Sequence, residues 1–121
     1  MARLARPTAL VVEDDEDQRW LVSTLLEECD LHVVECASGE AAVAVMDHVR
    51  DSLAMVFVDV NLGGGMNGLE LVKRVREKLP HVAVVVTSGS EVKPVPPDAV
   101  FMRKPWRPLD VLRVVESAKA A

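Results

Sequence analysis

Four positions with oxygen-rich or cationic side chains stand at the downstream ends of apolar, β-branched runs. They are the acidic triplet Glu13, Asp14 and Asp15 after TALVV, Asp59 at the end of LAMVFVD, the hydroxyl pair Thr87 and Ser88 after VAVVV, and Lys104 after AVFMR. Crowding Glu13, Asp14 and Asp59 together carries a repulsion and desolvation penalty that calls for a cation. Hard oxygen donors in this number, with room for water, suit magnesium or manganese rather than zinc. Beside such an ion Asp59 is a carboxylate nucleophile able to take a phosphoryl group as an aspartyl phosphate. The barrier to that transfer falls mainly through charge neutralisation and alignment. Lys104 offers a flexible point charge to one phosphoryl oxygen, and the Thr87 hydroxyl a donor to another.

Each of these residues has a plainer account when taken alone. An acidic run before a helix is ordinarily capping plus a solvated turn, Asp59 could cap the end of a strand, Thr87 could be a turn residue and Lys104 a surface charge. The argument rests on their conjunction, each at the carboxyl end of a different strand. Asp15 is assigned the plain role, a carboxylate that starts a helix.

The elements that must position these residues follow from periodicity. Strands are expected at TALVVE from Thr8, LHVVEC from Leu31, LAMVFVDV from Leu53, VAVVVT and AVFMR. Between them, Val22, Leu25, Leu26 and Cys29 repeat at helical spacing, and so do Ala42, Val45, Met46 and Val49 behind a Ser38 cap. A third helix runs from Leu69 to Leu79 with Leu71, Val72, Val75 and Leu79 on one face, and Pro80 stops it. The last starts near Pro108, with Leu112, Val115 and Ala118 facing inward. Alternating strands and helices, with strands apolar throughout, indicate an α/β fold with a five-stranded parallel sheet, doubly wound, with helices on both faces. In such sheets ligands bind beyond the carboxyl ends of the strands, where the residues above are placed.

Composition narrows the rest. The 121 residues, half of them hydrophobic and 27% charged, fit one domain spanning 1–121 with a ragged start at 1–7. A net charge of -5 with scattered basic residues argues against nucleic acid as a partner. No run approaches the length of a membrane span and the start lacks a signal peptide, so a cytoplasmic protein without a membrane partner is expected. Cys29 and Cys36 lack zinc or disulfide spacing and are expected as reduced core thiols. His32, His48 and His81 are isolated from one another.

The ordered blocks VVEDD, FVDVN, VVVTSG and FMRKP resemble the successive signatures of response-regulator receiver domains, over Thr8 to Ala118. The resemblance implies a flavodoxin-like, CheY-like sheet of strand order 2-1-3-4-5. It also implies that Asp59 is the phosphoacceptor, that Asp14 ligates the cation directly with Glu13 acting largely through water, and that the Asn61 carbonyl is a further ligand. Thr87 corresponds to the switch hydroxyl, Lys104 to the family's lysine and Phe101 to the switch aromatic. Pro105 suggests a cis peptide after Lys104. The function so implied is that of a two-component phosphorelay receiver, a signalling module rather than an enzyme. It would take its phosphoryl group from a histidine kinase or histidine phosphotransfer protein and act on an unknown downstream protein, through another chain.

Two departures qualify this. The loop NLGGGMNG has Gly63 where the family usually has proline, and one residue more than is common, so a looser loop is expected. Only 16 residues separate Thr87 from Lys104, with Pro94, Pro96 and Pro97 among them, so the family's fourth helix is expected to be short or absent. Trp20 points away from the first helix's apolar stripe, either to anchor a partner helix or to lie against the final helix. The alternative reading is a pseudo-receiver, never phosphorylated, that serves as a protein-binding scaffold. A haloacid-dehalogenase-like phosphatase would need an aspartate where Asn61 stands, and EDDED would repel a flavin phosphate.

Overall fold

A computed structural model describes residues 6–90 and 98–120, the last two in their main chain only. The elements run β1 (Thr8–Val12), α1 (Glu16–Glu28), β2 (His32–Cys36), α2 (Gly39–Val49), β3 (Leu53–Asp59), α3 (Gly68–Lys78), β4 (Ala83–Ser88), β5 (Ala99–Arg103) and α4 (Pro108–Ala120). All strand pairings are parallel, and the sheet order is β2-β1-β3-β4-β5. This is the flavodoxin-like order expected.

The strands alternate their side chains between two apolar layers. Leu10, Val12, Val56, Val58, Val84 and Val86 pack under α2 and α3 against Ala42, Met46, Leu71, Val72 and Val75. Ala9, Val11, Met55, Phe57 and Val85 face the other way, onto Val22 and Leu26 of α1 and Val111 and Val115 of α4. Both faces of β1 and β3 are therefore covered, which is why these strands read as unbroken apolar runs. The strand Leu31 was expected to begin starts instead at His32. As an edge strand it is only partly covered, with Val33 on one layer and Val34 on the other.

Local chemistry sets the helix starts. Asp15 caps α1 by accepting from the Gln18 N–H at 2.9 Å, the plain role expected of it, and Ser38 caps α2 by accepting from Ala41 at 3.1 Å. Asn67 and Glu70 form a reciprocal capping box on α3. In α4 the fully buried positions are Val111 and Val115, with Leu112 and Ala118 only half-buried. The expected Leu112, Val115 and Ala118 all pack on the layer shared with α1, and Val111, which that stripe omits, is buried beside Val115.

No helix lies between β4 and β5 among the described residues; 91–97, where one was expected to be short or absent, lie outside them. Of the expected ragged start, residues 1–5 also lie outside, while Arg6 and Pro7 are exposed. Cys29 and Cys36 are buried and form no disulfide. No helix of the described residues is long and apolar enough to cross a membrane.

Candidate functional site

The carboxyl ends of β1, β3 and β4, and the turn after β5, deliver the expected side chains to one edge of the sheet. The carboxylates of Glu13, Asp14 and Asp59 each place an oxygen within 4.8 Å of the others. Glu13 and Asp59 are buried at 5% and 4% exposure, whereas Asp14 is exposed and marks the open side. Lys104 bridges the buried pair, its Nζ donating to Asp59 Oδ2 at 2.7 Å and to Glu13 Oε1 at 3.0 Å. The Lys104–Pro105 peptide is cis. Buried carboxylates with one ammonium between them form a donor set of hard oxygens and negative excess, which fits a divalent cation.

The electrostatics follow from that burial. Removal from water pushes the Glu13 carboxyl from 4.5 up to about 7, against the opposing pull of its hydrogen bonds from Lys104 and the Asp15 N–H, while the charge of Asp59 adds to the rise. Burial alone would lower the Lys104 ammonium, but its hydrogen bonds to Asp59 and Glu13 outweigh this and raise it above 10.5. Lys104 is therefore held charged between its two acids.

Asp59 is more enclosed than a strand-end residue need be. Its Oδ1 accepts the Asn61 N–H at 2.9 Å while Lys104 covers Oδ2. Behind it Gly68 closes against the backbone: a Cβ on Gly68 would overlap Asp59 O and stand 2.7 Å from Val60 Cα. Neither Gly68 nor Asn67 is singled out by its residue type. The nearest sequence signal is a glycine following a capping asparagine.

Thr87 is buried, and its Oγ1 has no hydrogen-bond partner among the described residues. An unpaired buried hydroxyl is costly unless a ligand oxygen uses it. Phe101 is half-buried and pairs in register with Val86, one residue before Thr87. Asn61 is exposed, with its side-chain amide donating to Ser88 Oγ at 3.3 Å.

The loop after Asp59, expected to be loose, carries tethers. Gly63 donates its N–H to Asp14 Oδ2 at 3.1 Å, a bond that a proline at this position could not make. Met66 packs against Gly39 at the start of α2. Sequence reasoning also missed Arg19, whose Nη1 donates to the Glu13 carbonyl at 2.9 Å and whose Nε pairs with Glu35 at 3.2 Å, fixing the main chain at the acidic pair.

Beside Lys104 a groove of about 460 Å³ is lined by Gln18, Leu21, Gly89, Lys104, Pro105 and Trp106. Trp106 meets Phe57 edge-on at 6.4 Å. Trp20, by contrast, is 63% exposed on α1.

Comparison with known proteins shows the family and the fold. A model described as the response regulator receiver domain matches residues 9–103. The chain is 33% identical over 85 residues to the transcriptional regulatory protein ComA of Bacillus subtilis, covering 69% of this chain and 40% of ComA. It is 32% identical over 113 residues to a cyclic di-GMP phosphodiesterase of Thermotoga maritima, covering 88% of this chain and 29% of that protein. The chain thus spans well under half the length of these relatives. The crystal structure of a response regulator receiver protein from Sinorhizobium medicae superposes with a TM-score of 0.89 at 20% identity, over 98% of each chain.

Proposed function

The chain belongs to the response regulator receiver domain family, a signalling family, and from that premise we propose that Asp59 accepts a phosphoryl group from a phosphohistidine. The donor would be a histidine kinase or a histidine phosphotransfer protein, and the acceptor state would change how the domain binds a downstream protein. The observation that carries this reading is the convergence of Glu13, Asp14 and Asp59 on one cation-sized space, with Lys104 2.7 Å from the Asp59 oxygen.

Residues Glu13, Asp14 and Asp59, with the main chain at Asn61, would hold Mg2+ or Mn2+. The ion would neutralise charge on the phosphoryl oxygens and on the carboxylates around them. The rest of the chemistry falls to the chain. An Asp59 oxygen attacks phosphorus while the bond to the donor imidazole nitrogen breaks, and the electron pair leaves with the imidazole. Because Lys104 covers Oδ2, its ammonium must shift from the carboxylate toward the incoming phosphoryl oxygen. Its flexible stem and its charge, held on by two acids, suit that movement. The Thr87 hydroxyl, without a partner until then, donates to a second oxygen. A donor helix would dock on the groove beside Lys104, with the exposed Trp20 of α1 as a further anchor.

Incubation with acetyl phosphate and Mg2+ should add one phosphoryl group, stable in acid and labile in base, seen by intact mass. Asp59→Asn should abolish it. A protein that binds Mg2+ yet takes up no phosphoryl group would instead be a scaffold of the pseudo-receiver kind.

A further inference from the structure

Ser88 closes β4 with no exposed surface, and its side chain serves loops rather than the sheet. Its Oγ accepts from Asn61 Nδ2 at 3.3 Å and from the Ser90 N–H at 3.2 Å, and lies 3.4 Å from Ser90 Oγ. Its carbonyl accepts the Lys104 N–H at 2.8 Å. A serine hydroxyl has two acceptor lone pairs and one proton, so two N–H donors and one neighbouring hydroxyl use it fully. It is not a spare ligand; it is a junction between the Asp59 loop, the residues after β4 and the turn that carries Lys104.

The loop beyond Asp59 contains three consecutive glycines, Gly63, Gly64 and Gly65, so its order depends on tethers. Besides the main-chain bond from Val60 N–H to Thr87 O at 2.9 Å, three tethers to side chains hold its start: Asn61 N–H to Asp59 Oδ1, Gly63 N–H to Asp14 Oδ2 and Asn61 Nδ2 to Ser88 Oγ. The first two end on carboxylates that a cation would draw on. The third does not, so it is the tether that cation loading leaves untouched.

We infer that Ser88 is a positioning residue: its hydroxyl holds Asn61, and through it the loop, in the arrangement that receives the divalent cation. This rests on the proposed metal site, but not on phosphoryl transfer. The same junction joins Asn61 to Ser90, so the readiness of the site depends on the start of the β4–β5 connection.

The test is Mg2+ titration of the unphosphorylated full chain, by calorimetry, on the parent, Ser88→Ala, Asn61→Ala and the double variant. Loss of the Asn61–Ser88 hydrogen bond, common to both, should weaken the Kd by roughly three- to tenfold in each single variant. The double variant should be no weaker than the worse single one, since both remove the same bond. The melting temperature of Asn61→Ala in chelator should stay close to the parent's, which separates positioning from general loss of structure, whereas Ser88→Ala, which also loses its bonds to Ser90, should melt lower. Unchanged Mg2+ affinity in Ser88→Ala, or single effects that multiply in the double variant, overturns the inference. Should Ser88→Ala fail to fold, Asn61→Ala decides: the side chain is exposed, and an unchanged Kd there overturns it equally. A parent chain that binds Mg2+ but is never phosphorylated sinks the phosphoacceptor reading and leaves this one measurable. A parent that binds no Mg2+ sinks both.

Discussion

Replacing Lys104 by methionine keeps the apolar stem and removes the ammonium that bridges Glu13 and Asp59. Those carboxylates are 7% and 5% exposed in their side chains, and Lys104 itself only 20%, so the pair cannot exchange its lost partner for water. Breaking a buried charge pair by removing one member costs about 3 kcal/mol, the lower end of the usual range, which suits a lysine that keeps some contact with solvent. For 121 residues an unfolding entropy of about 2.1 cal/mol/K per residue converts this to a melting temperature lower by roughly 12 °C. The measurement belongs well above pH 7, in chelator, because burial pushes Glu13 up to about 7 even with Lys104 beside it, and losing that ammonium raises it further, so that at lower pH a proton would relieve the repulsion. Magnesium should then reverse much of the loss. Saturation at about 100 times Kd contributes roughly 2.7 kcal/mol, and the variant, lacking a competing ammonium, should gain more than the parent. Differential scanning calorimetry with and without Mg2+ reads both shifts. A variant that melts within about 2 °C of the parent in chelator, or that gains no more from Mg2+ than the parent does, refutes the claim that the Lys104 ammonium holds the buried carboxylates together.

Other outcomes follow from the same geometry. Gly68→Ala should lose about 1–2 kcal/mol in urea unfolding, because overpacking against the Asp59 carbonyl and Val60 Cα exceeds the gain in helix propensity, and phosphorylation by acetyl phosphate should slow with it. The raised value of Glu13 gives a stability contribution present in full below about 4.5 and lost as pH rises through about 7. In chelator, stability should thus fall across that window, and Mg2+ affinity should tighten over it, which paired unfolding and titration series would check; a flat profile would contradict the assignment. Trp20→Ala should change stability by less than about 0.5 kcal/mol and leave acetyl phosphate labelling intact while slowing transfer from a phosphorylated histidine donor. Equal rates from that donor would remove Trp20 from the docking surface.

The layout of the sheet was legible because its signals are local and redundant. Unbroken runs such as TALVV and LAMVFVD can be buried on both faces only in a covered parallel sheet, and the caps at Asp15 and Ser38 are read from residue type alone. The face of α4 was legible except for its depth. Leu112, Val115 and Ala118 do pack on the core, but Val111 is buried deeper than Leu112 and Ala118, and only the sheet's position sets that order. The side chains of the candidate site were legible, and the N–H groups that hold them were not. Glu13, Asp14, Asp59, Thr87 and Lys104 have residue types that point to chemistry. The N–H groups of Asn61 and Gly63 do their work whatever side chain they carry, and proline is the one residue whose presence would have excluded it.

That last point bears on how the loop after Asp59 works. A proline at position 63 would order the chain through its fixed φ angle. Glycine surrenders that stiffness, and what it returns is an N–H aimed at Asp14, the exposed member of the carboxylate cluster. The loop is thereby fastened to a side chain that the cation itself needs, so its order in the cation-free protein is drawn from the same oxygens that loading would engage. Arg19 fastens the other side of the cluster, from Glu35 to the Glu13 carbonyl, without touching a carboxylate of the site. One wall of the site is thus held independently of its charge state, whereas the other keeps, of its side-chain tethers, only the one from Asn61 to Ser88 once the carboxylates are engaged. Movement on loading should accordingly concentrate in Leu62 to Met66 and leave the turn after β1 in place, a contrast that amide exchange with and without Mg2+ would display segment by segment.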